Sequence, residues 1–231
     1  HFYVRAATGE DDVQLRTLIS ENMPSNGMIL SFERNPSYLH ATHTQYNRPD
    51  IRVIVPENQP GKVVGMMNLG WKYCFINGKP DVLRYVSDLR LDRDYRGQKI
   101  LRLLMDYLQD KLPADSLLES IVLEGNAPAR QILHEKRKGF PVPYHYDDIQ
   151  TFMVSQMKKP QTYEQYRFEC LSPEKIAAAN AFADAMKAHY NFLPNYDFSN
   201  LIAGHHPFWR GLKLDDFHLI YNLENQIVGI Y

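Results

Sequence analysis

Leu89-Arg90-Leu91-Asp92-Arg93-Asp94-Tyr95-Arg96-Gly97-Gln98-Lys99-Ile100-Leu101 is the stretch whose reading decides the fold. Upstream of it, Leu83, Tyr85, Leu89 and Leu91 share one parity within Val82 to Leu91, the period of a strand. Downstream, Ile100, Leu103, Leu104, Tyr107 and Leu108 recur at the spacing of an amphipathic helix that Pro113 ends. Arg96 and Gly97 stand in the loop between. The first N–H groups of a helix have no helical acceptors, and its dipole puts partial positive charge there. Such a turn suits an anion, a pyrophosphate included, and Gly97 lets the backbone come close. An ordinary strand–loop–helix with a surface Arg has the same pattern, so this stretch by itself leaves both readings open.

On the N-terminal side, Phe2 to Ala6 and Ile51 to Val55 read as strands, and Val63 to Tyr73 as a third. Between the first two, Thr8-Gly9-Glu10-Asp11 opens a helix carrying Val13, Leu15, Leu18 and Ile19. A second helix is expected from about Asn35-Pro36 to Thr44. Asn77-Gly78 is a hairpin-turn dipeptide leading into the strand Val82 to Leu91. On the C-terminal side, Ser120 to Leu123 is expected as a fifth strand. A helix then starts near Asn126, with Pro128 in its first turn, and closes at Gly139. Ile149 to Val154 completes the set. The alternation predicts an α/β fold, a mixed central sheet flanked by helices.

Two motifs carry a resemblance. Asp88-Leu89-x-Leu91-x-x-x-Tyr95-Arg96-Gly97 resembles the acetyl-CoA segment of GNAT (Gcn5-related) N-acyltransferases, whose pattern is R/Q-x-x-G-x-G/A. Arg96 matches its first position, whereas Lys99 and Leu101 replace the small residues. Lys99 fits such a turn if its φ stays negative, and Leu101 leaves the site open if it points to the core with Leu104 and Leu108. Asn126-Ala127-Pro128-Ala129, followed by Gly139-Phe140, is similar to the family's N-x-x-A…GF segment. The resemblance implies a splay between the fourth and fifth strands. It implies acetyl-CoA as cosubstrate, with Leu89, Arg90 and Leu91 along the pantetheine arm. Arg96, Gly97, Gln98, Lys99, Ile100 and Leu101 would lie around the pyrophosphate, and Asn126 and Arg130 on the other side of the splay. The family's Tyr, seven residues after that Asn, is Leu133 here, and His134 follows as the candidate general acid.

Acyl transfer to an amine needs a base for the ammonium proton. Asp88 and Glu124, expected on the strands that border the splay, are the candidates. Asp88 could instead pair with Arg84 or Arg90, and Glu124 with Arg130. A backbone N–H near Leu91 would polarise the thioester carbonyl. The expected activity is N-acetyl transfer from acetyl-CoA to a primary amine, small molecule or polypeptide, by direct attack in a ternary complex. A catalytically inactive CoA-binding domain with a regulatory or scaffolding role is the alternative.

The pattern restarts after Lys158-Lys159-Pro160. Tyr166 to Leu171 reads as a strand, and Ser172-Pro173-Glu174 opens a helix reaching about Tyr190. Phe217 to Tyr221, a turn at Glu224-Asn225 and Ile227-Val228-Gly229 form a hairpin like Ile51 to Gly65. Gly229 lies 164 residues after Gly65. The expectation is a GNAT domain over 1–157 and the N-terminal part of a second over 161–231. The second copy breaks off at Tyr231 and the chain begins at His1 rather than Met, so a longer native protein is expected.

A formal net charge of −1 over 231 residues gives no nucleic-acid footprint. No apolar run reaches the length of a membrane span. Cys74 and Cys170 are too few for a disulfide framework, so reduced thiols in a cytoplasmic protein are expected. His205-His206, His218 and Asp215-Asp216 match no zinc spacing, and no metal is expected. Oligomerisation is left open.

Overall fold

The computed structural model describes residues 1–21, 23–25, 28–113, 116–134, 144–150, 163–203, 209 and 211–231. The elements in chain order are β1 (Phe2–Ala6), α1 (Asp12–Ser20), β2 (Met23–Ser25), β3 (Met28–Leu30), α2 (Tyr38–Ala41), β4 (Ile51–Pro56), β5 (Gly65–Ile76) and β6 (Lys79–Leu91). There follow α3 (Ile100–Lys111), β7 (Leu118–Glu119), α4 (Ala127–His134), β8 (Arg167–Cys170), α5 (Ile176–Met186), β9 (Leu193–Pro194), α6 (Asn200–Ala203), β10 (His218–Tyr221) and β11 (Ile227–Ile230). The chain forms two compact units, 1–74 with 80–143, and 75–79 with 144–231.

In the first unit the sheet runs β1-β4-β5-β6-β7. β4 pairs antiparallel with β1 and with β5, Val4 opposite Ile54 and Ile54 opposite Gly65. β7 pairs parallel with β6, so the sheet is mixed. Successive side chains of a strand face opposite sides, and β4 is buried on both. Val53 and Val55 pack with Leu15, Leu18 and Ile19 of α1 and with Tyr38 of α2. Ile54 packs on the other face with Val64 and Met67 of the sheet and Ile100, Leu104 and Leu108 of α3. Each of these buried side chains contributes about 1.5–3 kcal/mol. The result is an α/β sheet between helical layers, as expected. Asn77 and Gly78, at φ 51° and 73°, make the tight turn that the Asn-Gly pair predicts.

Four expectations change. Met23–Ser25 and Met28–Leu30 pair as two short antiparallel strands, β2 with β3, that the pattern does not announce. The second helix is shorter, with Ser37 as N-cap accepting from the His40 N–H, and a 3-10 turn over Thr42–Thr44 completes it. The fifth strand is Leu118–Glu119, and Ser120 to Leu123 has no regular partner. Ile149 and Gln150, the described start of the expected last strand, are not in a strand, and its remainder lies outside the described residues. So do the linker at 158–160 and the Gly139-Phe140 pair.

The second unit has a three-stranded antiparallel sheet in the order β11-β10-β8. Its core joins Leu171, Ile176, Ala179, Ala183 and Leu219 to Phe198 and Trp209. It follows the first unit's opening closely. The 3-10 turns Gly9–Asp11 and Pro173–Lys175 lie 164 residues apart, as do the starts of α1 and α5. Ala7 N–H donates to the Ile51 carbonyl and Leu171 N–H to that of Phe217. Arg5 pairs with Asp11 at 2.7 Å. At the same offset Lys175 pairs with Glu169 at 2.6 Å, with the signs exchanged. Among the described residues no helix is long and apolar enough to cross a membrane.

Candidate active site

β6 pairs with β7 only at Arg84 and Tyr85. β6 runs on to Leu91 whereas β7 ends at Glu119, so beyond Tyr85 β6 has no strand partner on that side among the described residues. Asp88 lies in this stretch at φ 54°, a left-handed conformation that Asp tolerates better than most residues. Its carboxylate accepts a 2.8 Å hydrogen bond from the Tyr38 hydroxyl. Tyr38 is fully buried on the sheet. Burial first, and then the Asp88 charge, push its hydroxyl far above the ordinary value, so it stays a donor. The neighbouring Tyr46 hydroxyl is held in a short bond with Ser87 Oγ, and Tyr85 is pushed up to about 12 by burial. Asp88 thus sits in the stretch of β6 beyond the end of β7, with its carboxylate fixed by Tyr38. No ion pair with Arg84 or Arg90 is formed among the described residues, although Arg90 feels the Asp88 charge.

The loop after β6 is built by local bonds. Asp92 caps a 3-10 turn over Arg93–Tyr95 by accepting from the Asp94 N–H. Its own N–H donates to the Val64 carbonyl, which anchors the loop to the residue just before β5. Gly97 has φ 81° and open space where a side chain would stand. Lys99 precedes α3 at φ 60°, so the expected negative φ is not what is found. The turn keeps the left-handed shape that the small residue of the pattern would adopt, and Lys is strained into it. Ile100 is buried in the core, leaving only its backbone toward the loop. Leu101 packs against the cluster of Leu104 and Leu108, so it does not fill the anion side. Leu89 and Leu91 pack against the same cluster. Arg96 is mostly exposed, its Nε donating to the Leu91 carbonyl at 3.3 Å and its Nη2 lying 3.5 Å from Glu21. Gln98 Nε2 reaches the Asp94 carbonyl at 3.4 Å. The loop thus combines a glycine turn open to solvent, the start of α3 and a guanidinium held only by long, exposed contacts.

On the far side, Asn126 caps α4. Its Oδ1 accepts from the Ala129 N–H, and its carbonyl from that of Arg130. Glu124 stands in an exposed turn rather than at a strand end, and its carbonyl accepts from Arg130 Nη1. His134 is the last residue of α4, and its side chain lies outside the described residues. Tyr38, Tyr46 and Ser87 were not singled out from the sequence. The one available signal is the adjacent polar pair Ser87-Asp88, flanked by Val86 and Leu89 in the strand.

Residues 14–140 match the acetyltransferase (GNAT) family. The chain belongs to that family. Its solved structural neighbours are distant in sequence. A Trypanosoma brucei acetyltransferase is 18% identical with a TM-score of 0.44, over 66% of this chain and all of that one. Glucosamine-6-phosphate N-acetyltransferase from Arabidopsis thaliana is 14% identical, TM-score 0.41, over 64% of this chain and 99% of its own. An aminoglycoside acetyltransferase from an uncultured soil metagenomic sample, bound to sisomicin, is 16% identical, TM-score 0.46, over 67% of this chain and 97% of its own. No curated protein matches the chain. Among the described residues no group of His, Cys, Asp or Glu could hold a metal ion.

Proposed function

We propose that this GNAT protein transfers an acetyl group from acetyl-CoA to a primary amine by direct attack. The observation that carries the reading is that β7 ends at Glu119, opposite Tyr85, while β6 runs on, so the backbone of Leu89 to Leu91 has no strand partner on that side among the described residues. An extended pantetheine arm can pair with it, and the Gly97–Leu101 turn lies at the end of that track. Asp88 takes the ammonium proton. The amine lone pair forms the C–N bond while the C–S bond breaks, and the thiolate leaves with a proton from His134 or water. A backbone N–H near Leu91 polarises the carbonyl. Glu124, Asn126 and Arg130 are assigned to the opposite wall.

Calorimetry of the full chain with CoA, followed by an amine panel with acetyl-CoA, tests this. Arg96→Ala should weaken CoA binding by about 1–3 kcal/mol, the value of a charge-assisted hydrogen bond. Asp88→Asn should lower kcat/KM, with Glu124→Gln the parallel test of the second carboxylate. No binding at millimolar CoA would remove the reading.

Lys99 in a left-handed turn and Leu133 at the family's Tyr position favour the second reading, a CoA-binding domain without catalysis. It predicts CoA binding with no acetyl transfer to any amine.

The second unit is assigned as the opening of a second GNAT domain, over 161–231 beside 1–157. The 164-residue spacing of turns and helices and the mirrored ion pairs support this. A cytoplasmic protein, without nucleic-acid or membrane partners, is the matching assignment; both cysteines are free thiols.

A further inference from the structure

The cluster around Tyr38 carries more positive charge than the proposed chemistry uses. Arg34, on the segment before α2, and Arg90, on β6, both bear electrostatically on the Tyr38 hydroxyl. The Nε of each is buried and has no hydrogen-bond partner among the described residues. Arg90 spends one Nη1 proton on the Leu89 carbonyl, 3.0 Å away. Arg34 rests over the Phe32 ring, 5.9 Å from its centroid.

The carboxylates that bear on Arg90 are already engaged. Asp88 already accepts from Tyr38. Glu21, the other carboxylate felt by Arg90, is shared by Arg93 and Arg96 at 3.7 and 3.5 Å. The tyrosines stay neutral, because burial raises Tyr38, Tyr46 and Tyr85 alike. Buried guanidinium N–H groups without acceptors are costly to keep, and most such groups in folded proteins find a partner. The planar fork of Arg fits the two oxygens of a carboxylate or phosphate.

We propose that Arg34 and Arg90 form a subsite for an anionic group, carboxylate or phosphate, carried by the acceptor amine itself. The proposal rests on the acetyltransferase reading and narrows its substrate class. The acceptor presents its ammonium to Asp88 and its negative group to the two guanidiniums. Amino acids and amino phosphates belong to this class, whereas polycationic amines do not.

The test uses the full chain saturated with CoA, so that the pyrophosphate turn is filled. Calorimetry compares γ-aminobutyrate with n-butylamine for the carboxylate arm, and O-phosphoethanolamine with ethanolamine for the phosphate arm. The anionic member of at least one pair should bind about tenfold or more tightly, and the arm that shows the preference identifies the anion. Arg34→Gln and Arg90→Gln should each cut that preference to below about threefold. Arg34→Lys, which keeps the charge, should retain part of it, and this separates a lost subsite from a damaged fold. Equal affinity within both pairs, binding by neither anion, or a preference that survives both Gln variants would overturn the subsite. The CoA titration comes first. Its failure counts against the acetyltransferase reading, whereas failure of the anion arms with CoA bound counts against the subsite alone.

Discussion

The Tyr38 hydroxyl donates to the Asp88 carboxylate at 2.8 Å, joining a short helix to a strand 50 residues further along the chain. The donor cannot ionise in the working range, since burial raises it far above its ordinary value. It therefore remains a donor and fixes the direction of the Asp88 oxygens.

Tyr38→Phe keeps the ring in the core and removes only this bond. Stability should fall by about 0.5–1.5 kcal/mol, the net value of one hydrogen bond. The bond also orients the Asp88 oxygens, so if Asp88 is the base kcat/KM should fall in the variant. An unchanged kcat/KM would show that this bond plays no part in the chemistry.

Arg5 and Asp11 make a second local device. The Arg5 guanidinium, helped by the Thr8 N–H, holds the Asp11 carboxyl below the usual carboxylate range against the effect of its burial. Because the folded value is depressed, the contribution is present above the unfolded value of about 4 and is lost as pH falls through the lower folded one. Asp11→Asn should destabilise the protein by about 1–3 kcal/mol at pH 7 and flatten its acid denaturation below about pH 4. The reversed pair Arg5→Glu with Asp11→Lys should be more stable than either single change, in a double-mutant cycle read by denaturant unfolding.

Lys99 is held at φ 60°. An L-residue there costs about 1 kcal/mol, and a β-branched one more. Lys99→Gly should leave the melting temperature equal or higher, whereas Lys99→Val should lower stability by more than about 1 kcal/mol. Comparable melting of all three would mean that the turn adapts freely to its residue.

Gly70 lies against Tyr46, and a Cβ there would fall 1.8 Å from the ring carbon Cδ1. Tyr46 is 2% exposed and tied to Ser87, so it cannot simply swing away. Gly70→Ala should cost about 1–3 kcal/mol or more by overpacking. Because the displaced ring borders Ser87-Asp88, it should also reduce kcat/KM. Unfolding and steady-state kinetics on the same preparation measure both.

The sheet and its helices were legible because both bury one face and leave a period in the sequence. Ile100, Leu104 and Leu108 on α3 show this directly, whereas on β6 Leu89 and Leu91 share that cluster with Val86 of the other parity rather than with Leu83 and Tyr85, the left-handed Asp88 lying between. The loop between them was legible through Arg96 and Gly97. What stayed hidden depends on contacts distant in sequence. Nothing in the run around Tyr38 announces a hydroxyl aimed at Asp88. The buried Nε atoms of Arg34 and Arg90 are likewise visible only once β6 and the segment before α2 come together. The β2–β3 pair is three residues a side, too short for a period. Ser120 to Leu123 reads as a strand from its β-branched residues, but an element whose pairing ends after two residues has no ladder to join.

The exchanged signs of the two ion pairs bear on how the chain avoids folding into the wrong partner. Two units whose first three strands are ordered alike invite one unit's first strand to dock into the other during synthesis or refolding, a characteristic error of multidomain proteins. If β8 took the place of β1, Glu169 would face Asp11. If β1 took the place of β8, Arg5 would face Lys175. Each exchange sets like charges together at a site where the correct strand brings an opposite pair, so the first strand of each unit carries an electrostatic mark of where it belongs.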